Sequence, residues 1–283
     1  MDIGVGAPST VPGTDGRELA EFARRADRLG FSTLAVLDRL VYDSYDTVVT
    51  LAAAAAVTER ITLAPTILLA AYRPSATLLA KQLASVDRLS GGRLVVGVAA
   101  GGREDDFTAT GVPYGGRGRR LDAVLEEMER VWSGKVPGVG PRPQRGGIPL
   151  WVGGNSAASM ARAARYGIGW ISGSTPLHRY AEVAATVRKC WADAGRTDQP
   201  RLGALAYVAP GADRRQAGGR YLLDYYAYTG QKARFLAENV ITDDTRLRET
   251  IDGYAAAGCD ELMLIPCTSD AGQLDLIAEV AFG

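Results

Sequence analysis

A chain of 283 residues, 47% hydrophobic, with 32 basic residues balancing 32 acidic ones, is long enough for one large core and has no surplus charge for nucleic acid or an anionic membrane. Three cysteines, Cys190, Cys259 and Cys267, form no C-x-x-C pair, and the lone histidine, His178, excludes a histidine-rich metal centre, so no metal is expected. The amino terminus has no signal-like apolar segment and the longest apolar run, 51–57, is too short for a bilayer, so a soluble, cytoplasmic protein is expected.

Short β-branched runs alternate with amphipathic stretches from end to end. The runs predict strands at 3–6, 33–37, 61–68, 94–98, 149–152, 169–171, 202–208 and 261–265. Between them, RELAEFARRADRLG is the clearest helix: Leu19, Phe22, Ala23, Ala26 and Leu29 share one face and Gly30 supplies the stop. The same periodicity predicts helices at 46–59, 75–90, 117–132, 155–166, 177–194 and 244–257. Each helix returns the chain to the same end of the sheet, which requires parallel pairing. Eight such units over this length predict a (β/α)8 TIM barrel, a single domain over 1–283, in preference to an open doubly wound sheet. The stretches 99–148 and 209–260 leave room for insertions at the carboxyl-terminal face, and the Gly/Pro/Arg-rich piece 135–147 reads as an exposed excursion.

In IPLWVGGNSAASMARAARYGIGW a strand runs into Gly153, Gly154, Asn155 and Ser156, and a helix opens at once. Free N–H groups at that helix start, with no Cβ in the way, make an anion cradle, although an ordinary turn capped by Asn155 or Ser156 uses the same residues. The third apolar run passes through Thr66, Ile67 and Leu68 into Tyr72-Arg73-Pro74, too long for an average strand; it reads either as a bulged strand approaching a flat ligand or as a buried strand followed by a loop. Asp38, at the carboxyl end of the second strand, faces the barrel mouth by construction, or else serves as a cap or a partner of Arg39. Tyr221, Tyr225, Tyr226 and Tyr228 either line an aromatic slot or pack a helix, and His178 reads as a cap or surface residue.

The run KQLASVDRLSGGRLVVGVAAG, then FTATGVPYGGRGRRLDAVLEEMERVWSG, IPLWVGGNSAASMARAARYGIGW and AAAGCDELMLIP, in that order, resembles the bacterial luciferase-like superfamily, especially its deazaflavin (coenzyme F420) dependent branch. The resemblance implies a barrel holding F420, or alternatively FMN, at the carboxyl end of its strands. It implies that the cofactor phosphate rests on Gly153, Gly154, Asn155 and Ser156. It further implies that a bulge at Thr66, Ile67 and Leu68, with a cis bond between Thr66 and Ile67, presses on the ring, and that Asp38 contacts the ring edge or substrate instead of holding the fold. Catalytic acids are expected at Asp38 and at Glu104, the acid nearest the position where some relatives carry one and this chain has Gly102. Two departures stand out: Asp38-Arg39 replaces the acid-histidine pair of many relatives, and Gly167-Ile168-Gly169-Trp170 lacks the usual acid of its turn.

The implied activity is hydride transfer between F420 and a C=C, C=N or carbonyl carbon of a small organic substrate, in secondary metabolism. The competing readings are an FMN monooxygenase using O2 and a flavin or pigment binder without turnover. All but four of the basic residues are arginine, and with abundant Ala and Gly this points to GC-rich coding, which favours the deazaflavin. Finally, the helix around Ala52 to Ala56 is apolar nearly all round, so a homodimer packed through it and its neighbour 78–89 is expected, to be disrupted by Ala54→Arg.

Overall fold

The computed structural model describes residues 1–173, 175–211 and 214–283. Its strands are β1 (Asp2–Gly6), β2 (Thr33–Val36), β3 (Thr62–Pro65), β4 (Leu68–Leu69), β5 (Val96–Ala99), β6 (Leu150–Gly153), β7 (Gly169–Ser172), β8 (Arg201–Val208) and β9 (Glu261–Pro266). They run in the order β3-β2-β1-β9-β8-β7-β6-β5-β4, every pair parallel. The barrel closes where Leu63 bridges Leu94 through two backbone bonds of 3.0 Å, Leu63 N–H to Arg93 and Val95 N–H to Leu63. The predicted strand 61–68 is thus one stave in two pieces, β3 and β4, separated at Thr66–Ile67, whose peptide bond is cis as the resemblance implied.

The outer layer contains α1 (Gly16–Leu29), α2 (Thr47–Val57), α3 (Ala76–Leu89), α4 (Glu104–Thr110), α5 (Arg117–Trp132), α6 (Ala157–Tyr166), α7 (Leu177–Asp193), α8 (Arg215–Tyr225), α9 (Gln231–Glu238), α10 (Asp244–Ala256) and α11 (Gln273–Phe282). Local chemistry sets their ends. In α1 a capping box joins Asp15 to Glu18, and Gly30 closes the helix in the left-handed conformation. All seven helices expected from periodicity are present; α4, α8 and α9 occupy the two long stretches, and α11 was not foreseen.

Strand alternation divides the core in two. On β8, Leu205 and Tyr207 point into the barrel beside Trp151, Ile171 and Met263, whereas Ala204 and Val208 face the helices. The inner cluster continues upward into Tyr221, Leu222, Tyr225 and Tyr226, so α8 sits over the barrel mouth. No helix among the described residues is long and apolar enough to cross a membrane, and no group of metal-ligating residues occurs among them.

Candidate active site

At the carboxyl end of β6 the chain turns through Gly154, Asn155 and Ser156 into α6. Ser156 is the cap: its Oγ accepts from Ser159 N–H at 3.2 Å, and Ser159 Oγ accepts from Ser156 N–H at 3.1 Å. The cap leaves the N–H groups of Ala157 and Ala158 without an acceptor among the described residues. Gly153, Gly154, Asn155, Ser156 and Ala158 border a cavity of about 630 Å³, whose other wall includes the start of α5 at Gly116, Arg117 and Gly118. Arg162 reaches in from α6, held by Asp122 at 2.6 and 3.1 Å and by the Gly118 carbonyl at 3.0 Å, while Arg117 Nε donates to Gly101 O at 2.9 Å. Two helix starts and two arginines, one of them neutralised by Asp122, make this end attractive to an anion.

A second cavity of about 190 Å³ shares Ile67, Leu69, Gly102 and Gly173 with the first, so the two form one cleft across the barrel mouth. Thr66 and Ile67 are its floor. Leu68 lines neither cavity: the break at Thr66–Ile67 returns it to the sheet, paired with Val98 and buried in the outer core, and Leu69 takes the place on the wall. Asp38 also lines the second cavity, yet its carboxylate is occupied. It accepts from Leu69 N–H at 2.8 Å, Thr47 Oγ1 at 2.9 Å, Arg73 Nη2 at 3.0 Å and the Tyr72 hydroxyl at 3.2 Å. Those four donors anchor the bulge to β2 and to the cap of α2, so Asp38 holds the fold as well as facing the cleft, where holding the fold was not expected.

Glu104 opens α4 with its side chain in solvent and lines neither cavity. The residue before it, Arg103, is the one turned inward, 5% exposed and lying over the rings of Tyr225 and Tyr228. Arg103 was missed by the sequence reading; its only local mark was its place four residues past the end of β5 at Ala99. Tyr207, Tyr225, Tyr226 and Tyr228 line the cavity, whereas Tyr221 stands behind them, bonded to Thr10 at 2.7 Å and stacked on Tyr225. The Tyr207 and Tyr226 hydroxyls share a hydrogen bond. Burial pushes both phenols above their ordinary range, so they stay protonated. His178 lies exposed in the first turn of α7, outside the cleft.

A sequence profile of luciferase-like monooxygenases matches residues 1–279. The chain belongs to that family. An uncharacterised Mycobacterium tuberculosis protein is 35% identical over 170 residues, a match spanning 56% of this chain and 60% of that relative's length. An F420-dependent secondary alcohol dehydrogenase in complex with an F420-acetone adduct superposes with a TM-score of 0.83 at 18% identity, covering 99% of this chain and 97% of that one. The FMN-complexed type II Baeyer-Villiger monooxygenase of Pseudomonas putida gives 0.75 at 18% identity, with coverage of 99% and 96%. Those solved structures share the fold.

The residues of this luciferase-like chain fit a phosphate-bearing flavin-type cofactor on their own geometry. A Cβ at Gly153 would come 2.5 Å from the Ile67 side chain, and one at Gly154, where φ is +115°, 2.7 Å from Ser159 Oγ, so only glycine leaves the cradle open. Thr66 Oγ1 is buried on the cleft floor with no partner among the described residues, as a group awaiting a ligand would be.

Proposed function

We propose that this luciferase-like chain is an F420-dependent oxidoreductase acting on a C=C, C=N or carbonyl carbon of a small organic substrate. The observation that supports this best is the single cleft, electropositive at Gly154 and Ser156, tyrosine-walled at the other end, with Thr66 and Ile67 between them. When bound, the deazaflavin supplies the hydride chemistry, and the protein supplies position and protons. Gly153, Gly154, Asn155 and Ser156, with the free N–H groups of Ala157 and Ala158, would hold the phosphate; Thr66 and Ile67 would lie against the ring face, and Asp38 would stand at its edge. Glu104 has no part in this arrangement, being in solvent. Tyr226, backed by its bond to Tyr207, is the proton-holding hydroxyl best placed on the cavity wall. The arginine-rich, histidine-poor composition favours the deazaflavin. The second reading, an FMN-dependent monooxygenase using O2, is favoured by the FMN-bearing neighbour.

Titration of the purified chain with F420 and with FMN, followed by visible absorption, tests the choice. Tighter binding of F420 is expected; binding of FMN with no uptake of F420 would move the assignment to the monooxygenase.

A further inference from the structure

Arg103 stands out in the tyrosine-walled cavity because its charge faces aromatic rings and no carboxylate pairs with it among the described residues. Its guanidinium lies 4.5 Å from the Tyr225 ring centroid and 4.7 Å from that of Tyr228. Of its five N–H donors, one makes a long bond of 3.4 Å to the Tyr225 carbonyl, and Nε is buried without an acceptor among the described residues. No carboxylate among the described residues comes within 4.0 Å of it. Asp106, one turn on, accepts from Leu40 and Val41 N–H at 3.1 and 2.8 Å and stays out of that range. Among the described residues the only acid lining this cavity is Asp38, already paired with Arg73 at 3.0 Å.

A purely architectural role, pinning the end of α8, explains Arg103 poorly. Arg39 Nη1 already donates to the same Tyr225 carbonyl at 3.0 Å, a better bond than that of Arg103. A buried guanidinium is costly unless its donors are used, and a planar fork is suited to two oxygens of one anion.

We propose that Arg103 is an anion seat, receiving a carboxylate, phenolate or enolate oxygen of a flat ligand packed among Tyr207, Tyr225, Tyr226 and Tyr228. The acidic oxygen belongs either to the substrate, which is then an aromatic or conjugated acid, or to the cofactor's own ring. The inference deepens the proposed function and depends on it only for the identity of the neighbouring ring, since the seat itself is tested without cofactor.

Calorimetric titration of the full chain with benzoate and with benzamide, its uncharged isostere, is the first arm. Wild type is expected to bind benzoate at least tenfold more tightly than benzamide, and Arg103→Gln to lose that preference while Arg103→Lys keeps part of it. F420 and FMN titrations of the same variants form the second arm. Cofactor affinity within twofold of wild type assigns the anion to the substrate; a tenfold loss for Arg103→Gln, with no benzoate preference in wild type, assigns it to the cofactor ring. If Arg103→Gln changes neither, or if its only effect is a lower melting temperature shared by Arg103→Lys, Arg103 is a pin for α8 and the proposal fails. Failure of the oxidoreductase reading shows instead as benzoate binding without uptake of either cofactor.

Discussion

The two ends of the barrel treat buried polar groups in opposite ways. At the amino-terminal end, Asp27 accepts three backbone N–H bonds, from Glu59, Arg60 and Ile61, at 2.8 to 3.2 Å. Arg93 there donates to Ser90, Thr58 and Ile61, and Glu261 accepts from Ser32, Thr33 and Arg201. Among the described residues Arg201 Nε is the one buried polar atom without a partner at that end, and Trp151 Nε1 is another inside the barrel, whereas at the carboxyl-terminal end Ser9 Oγ, Arg39 Nε, Thr66 Oγ1, Arg73 Nε, Arg103 Nε and Asp106 Oδ2 are all buried without partners. The first end spends nearly all of its polar groups on stability, whereas the second leaves several unpaired at the face where barrel active sites lie.

Asp38 is the residue that cuts across this division, and replacing it should have an effect as large as any. Asp38→Ala leaves the buried Arg73 with only its 3.9 Å contact to Asp46 and releases Leu69 N–H, so a loss of about 3 kcal/mol is expected by denaturant unfolding. A loss below about 1 kcal/mol, with cofactor binding abolished, would return Asp38 to a purely ligand-facing role.

Asp27→Ala tests the amino-terminal end and should cost about 3 kcal/mol, from three N–H groups left without their charged acceptor, while leaving cofactor affinity alone. Burial alone would raise the Asp27 carboxyl, but the N–H donors of Glu59, Ile61 and Arg60 outweigh it and hold the group below its ordinary value. Its contribution is therefore complete above the unfolded value of 3.8 and is lost as pH falls toward and through the lower folded value. Asp27→Asn should show a shallower acid limb in stability against pH; an unchanged limb would place acid sensitivity elsewhere.

Gly154→Asp probes the open end. It should weaken F420 at least tenfold, about 1.4 kcal/mol, by placing a carboxylate in the anion cradle. Affinity within twofold would put the phosphate elsewhere.

The smallest effect on folding is expected on the side wall, where a homodimer through α2 and α3 is proposed. Val49, Ala53 and Ala56 lie exposed along one face of α2, and Leu78 and Leu89 are exposed on α3. Ala54 is buried against the barrel, so Ala54→Arg would disturb packing instead of testing assembly. Val49→Arg should convert a dimer to a 29.9 kDa particle in light scattering while shifting protomer stability by less than about 0.5 kcal/mol. A wild-type particle already of that mass would remove the proposed interface.

The comparison also separates what was legible in the chain from what was not. The strand-to-helix turn beside the cavity was legible because Gly153, Gly154, Asn155 and Ser156 are neighbours and their chemistry is local: a strand end, two residues without side chains, a cap. Leu68 and Glu104 were expected at the cleft, and the structure lines it with their neighbours Leu69 and Arg103. Sequence alone does not locate the break in stave three, which exchanges Leu68 for Leu69 on the wall, nor the start of α4, which turns Arg103 inward and Glu104 outward.

By itself the sequence determined the alternation of strands and helices, the parallel barrel, and helix ends such as Gly30, since each follows from hydrophobic period and capping within a few residues. Tertiary structure decided which side chains meet. Asp38 finds Leu69 and Arg73 more than thirty positions away, and Arg103 meets Tyr225 across 122 positions and two insertions. Such contacts are set by how loops close over a barrel mouth, and neither periodicity nor capping records them.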